Sequence, residues 1–111
     1  VREVQLDAVT GLSGSGPAYV FTMIEALADG GVQQGLARDV AQSLAVQTVL
    51  GAARLVQESG EHPAALRDKV CSPGGTAISA VKVLEEKGLR STLMEAVARA
   101  AERSRELGDS K

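Results

Sequence analysis

An all-α fold is what this sequence predicts, and three observations carry the expectation. Alanine supplies 17 of the 111 residues. It is the best helix former, and its small side chain lets helices approach closely. Apolar residues recur at spacings of three and four through most of the chain, the period of a helix with one buried face. No segment shows the strict alternation of a half-buried strand. The composition, 44% hydrophobic and 23% charged, is that of a globular chain. Residues 1–111 are long enough to make one domain with its own core.

The elements follow in order. A short first helix is expected over residues 3–12, around Val4, Leu6 and Val9. Ser13-Gly14-Ser15-Gly16 reads as a hinge or tight turn, and Pro17 suits the first turn of the next helix. From Ala18 to Ala28 the polar positions are Thr22 and Glu25, and Tyr19 and Phe21 are the chain's two aromatic residues. A helix apolar on nearly all sides is buried on nearly all sides. A small chain can rarely surround a helix that completely, so this segment asks for a partner surface. Gly30-Gly31 or Gly35 would end it.

The next helix spans 38–59, with Val40, Leu44, Thr48, Ala52 and Leu55 on one face and Asp39, Ser43, Gln47, Arg54 and Glu58 on the other. Gly60 stops it. His62-Pro63 opens a short helix running through Leu66 to Val70. Ser72-Pro73-Gly74-Gly75-Thr76 breaks the pattern, after which a helix with Ile78, Val81 and Leu84 along one side reaches Lys87, with Gly88 as its stop. The last helix, 90–107, lines up Leu93, Val97, Ala101 and Ser104, and Glu95–Arg99 make an i,i+4 pair on its exposed side. The loops are short and no repeat is present, as in a helical bundle.

Several classes are excluded. The net charge is −2 with acids and bases interleaved, so there is no basic stripe for nucleic acid. No apolar run is long enough for a membrane span, and no signal-peptide pattern is present. Val1 in place of Met reads as a fragment boundary. Cys71 is the one cysteine and cannot form an intrachain disulfide; it reads as a semi-buried structural thiol. His62 has no Cys, Asp or Glu at ligand spacing, so no metal site is expected. Glu85-Glu86, Glu102 and Glu106 read as solvated helix faces, and no catalytic acid, base or nucleophile can be assembled.

Two glycine-rich segments are candidates for chemistry. Gly11-Leu12-Ser13-Gly14-Ser15-Gly16-Pro17 fails the dinucleotide fingerprint: Tyr19 stands where a third glycine is needed, and no strand precedes it. The second is stronger. Ser72 is placed as an N-cap, Pro73 as the first helical residue, and two glycines follow. The amides of Gly74, Gly75 and Thr76 would then point out of a helix start, a position that attracts carboxylates and phosphates. An ordinary capped helix is the alternative reading, although paired glycines weaken a helix that needs only a cap.

Two stretches together resemble the pyrroline-5-carboxylate reductase family. One runs from Asp7 through Gly11-Leu12-Ser13-Gly14-Ser15-Gly16-Pro17-Ala18-Tyr19-Val20-Phe21 to Glu25-Ala26-Leu27-Ala28-Asp29; the other is Leu66-Arg67-Asp68-Lys69-Val70-Cys71-Ser72-Pro73-Gly74-Gly75-Thr76. The resemblance implies reduction of 1-pyrroline-5-carboxylate to L-proline with NADPH or NADH, held mainly by an N-terminal Rossmann domain absent from this chain. It implies a C-terminal helical bundle that interleaves with a second copy in a homodimer, with decamers in some members. It assigns the substrate carboxylate to Ser72, Gly74, Gly75 and Thr76, and Val70 to the nicotinamide side of the pocket. Many members carry a threonine at the position of Ala77 here, near the substrate nitrogen, and often asparagine at that of Lys69. Hydride transfer to an already electrophilic imine needs orientation more than a protein nucleophile. Lacking a dinucleotide fingerprint, the chain alone is expected to be inactive; its home is expected to be the cytoplasm, with the mitochondrion open. Two other readings remain: a non-catalytic helical dimerisation module, and a domain of a related two-domain reductase for another carboxylate substrate.

Overall fold

The computed structural model describes residues 3–109, with the side chains of Glu3 and Val4 outside that description. Among the described residues there are six α-helices and no strand: α1 Glu3–Val9, α2 Gly16–Gln33, α3 Arg38–Ser59, α4 Pro63–Val70, α5 Thr76–Glu86 and α6 Leu89–Asp109, with a π turn, Thr10–Gly14, after α1. Among the described residues no helix is long and apolar enough to cross a membrane. The chain divides into two compact units, Met23–Leu84 and Val1–Thr22 with Glu85–Lys111.

In the unit Met23–Leu84, α2 meets α3 through small residues. Ala28, Ala41 and Ala45 are buried, flanked by Ile24 and Val32. A Cβ on Gly31 would stand 3.2 Å from the Ala41 Cβ and 3.3 Å from a Leu36 methyl, so glycine sets how closely the two backbones approach. Gly31 therefore lies inside α2 and does not end it; Gly30 also lies inside the helix, with open space around it. The stop is Gly35, at φ 107°, whose N–H donates to the Val32 carbonyl at 2.9 Å while the Leu36 N–H reaches back to Gly31 at 3.0 Å. That is the double C-terminal closure in which the following apolar residue folds onto the helix.

The buried stripe of α3 is Ala41 and Ala45 with half-buried Val49 and Val56, one residue out of register with the face expected from the sequence. Val40, Leu44 and Leu55 are exposed, Leu44 by 54%. Periodicity located the apolar stripe of bulky residues, but within this chain α3 buries its small ones. Gly60, at φ 68°, ends α3 as expected. His62 caps α4: its ring Nδ1 accepts from the Ala64 N–H at 3.0 Å, and Pro63 opens the helix.

In the other unit, the segment after α1 stays helical through Gly14, so the expected hinge at 13–16 narrows to Ser15, whose N–H donates to the Thr10 carbonyl at 2.8 Å. Packing against α6 explains the wider turn. Gly11 is buried, and a Cβ on it would lie 2.6 Å from the Val97 carbonyl oxygen and 3.1 Å from the Ala101 nitrogen. The Tyr19 hydroxyl donates to the Gly11 carbonyl at 2.7 Å, holding the start of α2 to the π turn. The Ser104 hydroxyl donates to the Asp7 carboxylate at 2.8 Å and ties α6 to α1. Leu6 and Val9, by contrast, are exposed. Leu93, Val97, Ala101 and Ser104 are all half-buried, the α6 face expected from the sequence. Arg99 pairs with Glu102 at 3.6 Å and Glu106 at 3.5 Å, where the sequence pointed to Glu95. A hydrogen bond from Arg103, helped by the charge of Arg99, holds the Glu106 carboxyl below its ordinary range. These pairs are solvated and contribute little to stability.

Among the described residues no large side chain is fully buried, and Phe21, Leu27, Leu50 and Met94 are among many exposed apolar residues, Phe21 by 68%. The accessible surface is 8504 Å². A compact monomer of this mass exposes about 5,800 Å², and even two separate bodies of half the mass would expose about 7,000 Å².

The close contact at Gly11 yields a test. Gly11→Ala should destabilise the chain by about 1–3 kcal/mol, because the added methyl meets backbone that cannot step aside. Denaturant midpoints of the two proteins would measure it, and an unchanged midpoint would show that α6 yields at no cost.

Candidate functional site

The glycine turn between α4 and α5 is built in three steps. Cys71 closes α4: it is half-buried and its N–H donates to the Asp68 carbonyl at 3.3 Å. Ser72 to Gly75 then form a β-turn, with the Gly75 N–H donating to the Ser72 carbonyl at 3.0 Å. Pro73 takes the second position, and Gly74, at φ 67°, takes the third, which in this turn demands a left-handed backbone. Helix α5 begins at Thr76. Ser72 is therefore not its N-cap, nor Pro73 its first residue: proline shapes the turn, and the helix starts three residues later than the sequence implied.

Gly75 is the cap position. Its carbonyl accepts from the Ser79 N–H at 3.3 Å and from the Ser79 hydroxyl at 2.9 Å. A Cβ on Gly75 would collide with the Ser72 Oγ and stand 3.3 Å from the Ser72 carbonyl oxygen. The turn thus folds the serine hydroxyl back over the start of α5, and Gly75 leaves room for it. The amides of Thr76, Ala77 and Ile78 occupy the first turn of α5, where no carbonyl of their own helix can accept from them. A helix start beside a hydroxyl is an arrangement able to hold an anionic group.

Of the sequence candidates, Ser72, Gly74 and Gly75 lie on this turn and Thr76 and Ala77 in the first turn of α5, with Gly75 and Ala77 half-buried and the others exposed. Val70 ends α4 two residues earlier and is 67% exposed. Lys69 is held by the Glu61 carboxylate, at 2.7 and 3.0 Å. The first glycine-rich segment makes no open phosphate loop, since Gly11 and Gly14 lie in the π turn and Gly16 begins α2. Among the described residues no group of three or more His, Cys, Asp and Glu side chains is placed to hold a metal ion. Sequence reasoning missed the part played by His62. The signal was present in His62-Pro63, since a side chain with a lone pair immediately before a helix-opening proline stands at the cap.

Fold and turn together define a class: an all-helical domain with many exposed apolar side chains and a serine-proline-glycine turn leading into a helix start. The chain belongs to the pyrroline-5-carboxylate reductase dimerisation family, whose model matches residues 3–107. It is 64% identical over 108 residues to the pyrroline-5-carboxylate reductase of Synechocystis sp., covering 97% of this chain and 40% of that protein. The corresponding enzyme of Arabidopsis thaliana is 63% identical over 108 residues, covering 97% of this chain and 39% of the relative. Among solved structures, pyrroline-5-carboxylate reductase from Coxiella burnetii superposes with a TM-score of 0.93 at 45% identity, over 96% of this chain and 40% of that one. Plasmodium falciparum pyrroline carboxylate reductase with NADP bound gives 0.92 at 38% identity, over 97% and 41%. The chain thus spans about 40% of the length of the curated relatives it matches.

The contact between Ser72 and Gly75 should appear as energetic coupling. Gly75→Ala is expected to destabilise the chain by about 1–3 kcal/mol in the wild-type background, and by clearly less when combined with Ser72→Ala, which removes the obstructing oxygen. A double-mutant cycle on denaturant stabilities measures the difference; strictly additive effects would mean that hydroxyl and glycine do not meet.

Proposed function

We propose that this chain is the C-terminal dimerisation and substrate-carboxylate domain, residues 1–111, of a reductase that converts 1-pyrroline-5-carboxylate to L-proline. The dinucleotide-binding half would lie outside it. The observation that carries the reading is the Ser72–Thr76 turn, which brings a hydroxyl and unpartnered amides to one helix start. These groups would bind the substrate carboxylate and so orient the ring. Family membership and the named relatives support the chemistry.

NADPH or NADH would supply the hydride, and a structural neighbour is described with NADP bound. From this chain, Val70 offers an exposed apolar side chain next to the turn, fit to cover one face of a flat ring. The hydride would add to the imine carbon while the C=N electron pair withdraws onto the protonated nitrogen, leaving the ring amine. The protein's share is to hold the carboxylate so that one ring face meets the hydride, and to exclude water.

In a full-length enzyme, Ser72→Ala should weaken substrate capture about 10- to 100-fold, since a hydrogen bond to a charged group is worth about 1.5–3 kcal/mol and about 1.4 kcal/mol is tenfold. Cofactor affinity should hardly change. Thr76→Val addresses the family threonine replaced by Ala77. Adjacent helical positions diverge by about 100°, so a Thr76 hydroxyl that has taken over the nitrogen contact must reach it from a different side. Steady-state kinetics decide: lost turnover assigns Thr76 that contact, and preserved turnover assigns it to the helix start. Unchanged substrate kinetics in Ser72→Ala would place the carboxylate elsewhere.

The second part of the proposal is a homodimer, with decamers a further level of assembly. The surface excess of about 1,500 Å² over even two separate bodies is of the size one protomer covers in an obligate dimer. Phe21, at 68% exposure on α2, is its proposed centre. Phe21→Asp should leave an isolated chain undisturbed but should dissociate or unfold a dimer that buries it, at a cost of several kcal/mol. Light scattering that finds a wild-type monomer at micromolar concentration would remove this half of the proposal.

A further inference from the structure

Helix α4 is short and thinly packed. Its eight residues, Pro63–Val70, include no buried side chain, and an isolated helix of that length is marginal in water. Its two ends carry what holds it. At the start, the His62 Nδ1 accepts from the Ala64 N–H at 3.0 Å. At the last turn, Lys69 is strapped to Glu61, the residue before His62, through both carboxylate oxygens. The helix ends at Val70, and the turn that begins with Ser72 follows after Cys71 alone.

We propose that His62 is a proton-sensitive positioning residue for the Ser72 turn, acting through the cap of α4. An imidazole nitrogen accepts a hydrogen bond only when it carries no proton, so this cap exists with the neutral ring and its proton on Nε2. Protonation turns Nδ1 into a donor facing another donor. It also puts a positive charge at the positive end of the helix dipole. Nearby charged groups are Glu58 in the last turn of α3, Glu61 with its carboxylate taken by Lys69, and Arg67 beside Asp68 farther along α4. Among the described residues no other side chain is ion-paired or hydrogen-bonded to His62. The stabilisation is therefore present with the neutral ring and absent with the protonated one. Loss of the cap frays α4 and loosens the point from which the turn starts. The functional consequence rests on the reading of that turn as the carboxylate site.

The test has two arms. In the isotopically labelled chain, the Ala64 amide and the His62 ring are followed by NMR from pH 8 to 5. Both should move with one midpoint, and exchange protection of the Ala64 amide, corrected for intrinsic rates, should fall about three- to tenfold on protonation. His62→Asn caps with a group that does not titrate and should keep its protection throughout. In a full-length enzyme, the ratio of substrate KM between His62→Asn and wild type cancels titration of the substrate itself. It should be near one at pH 8 and fall about three- to tenfold below one at pH 5.5, with kcat unchanged. An Ala64 amide that ignores the ring overturns the cap. A KM ratio flat with pH overturns its link to the turn. Failure of the carboxylate reading is separate and visible: Ser72→Ala would then itself leave KM unchanged.

Discussion

Where α2 crosses α3, Gly31 faces Ala41 so closely that an added methyl would crowd the Ala41 and Leu36 side chains, and Ala28, Ala41 and Ala45 fill the contact. The same holds in the other unit, where buried Gly11 lies directly against the backbone of α6 at Val97 and Ala101. Backbone is brought to backbone by the removal of side chains. Such contacts set the spacing of helices closely, because a single methyl is felt when there is nothing flexible to move aside. They bury little apolar area. The chain therefore gains definition from these crossings while its large apolar side chains remain outside them.

That division of labour explains the surface. Phe21, Leu27, Leu44 and Leu55 are exposed because the inner contacts have been given to alanine and glycine. An apolar helix face left open by one chain is material for a second body, which is the usual state of a protein whose interface resembles a core cut in half. The family to which the chain belongs is described by dimerisation, and the uncovered face gives a physical reason for that description.

The turn after α4 depends on another constraint, the direction of backbone N–H groups. Gly74 supplies the left-handed residue, Pro73 the preset angle before it, and Gly75 the room for the Ser72 hydroxyl. No long side chain is required, so the candidate site consists of the four residues Ser72 to Gly75 and the start of one helix. Its position depends on what precedes it, a helix of eight residues with no buried side chain, held by His62 at one end and the Glu61–Lys69 strap.

Much of this was legible in the chain. Helix boundaries at Gly60, Gly88 and Pro63 follow from residues whose backbone leaves few alternatives. The glycine turn was visible as a candidate anion site, because serine, proline and paired glycines serve no helix interior. Its internal geometry was not legible: Ser72-Pro73 fits a cap and a first helical residue as well as a turn, and the three-residue difference is decided by where Gly75 can accept from Ser79.

Periodicity by itself determined that this protein is helical, where its helices run and that its bulky apolar residues form stripes. It did not determine which stripe each helix buries within the chain. On α3 the sequence weighs Val40, Leu44 and Leu55 above Ala41 and Ala45, since larger side chains carry more transfer free energy. Tertiary structure reversed that choice, because Gly31 allows an approach that only small residues can occupy. It likewise turned the expected hinge at Gly14 into a continued helix, since Gly11 had to reach α6. Local propensity depends on neighbours along the chain; which face is buried depends on how close two backbones can come, and that distance is set by residues far apart in sequence.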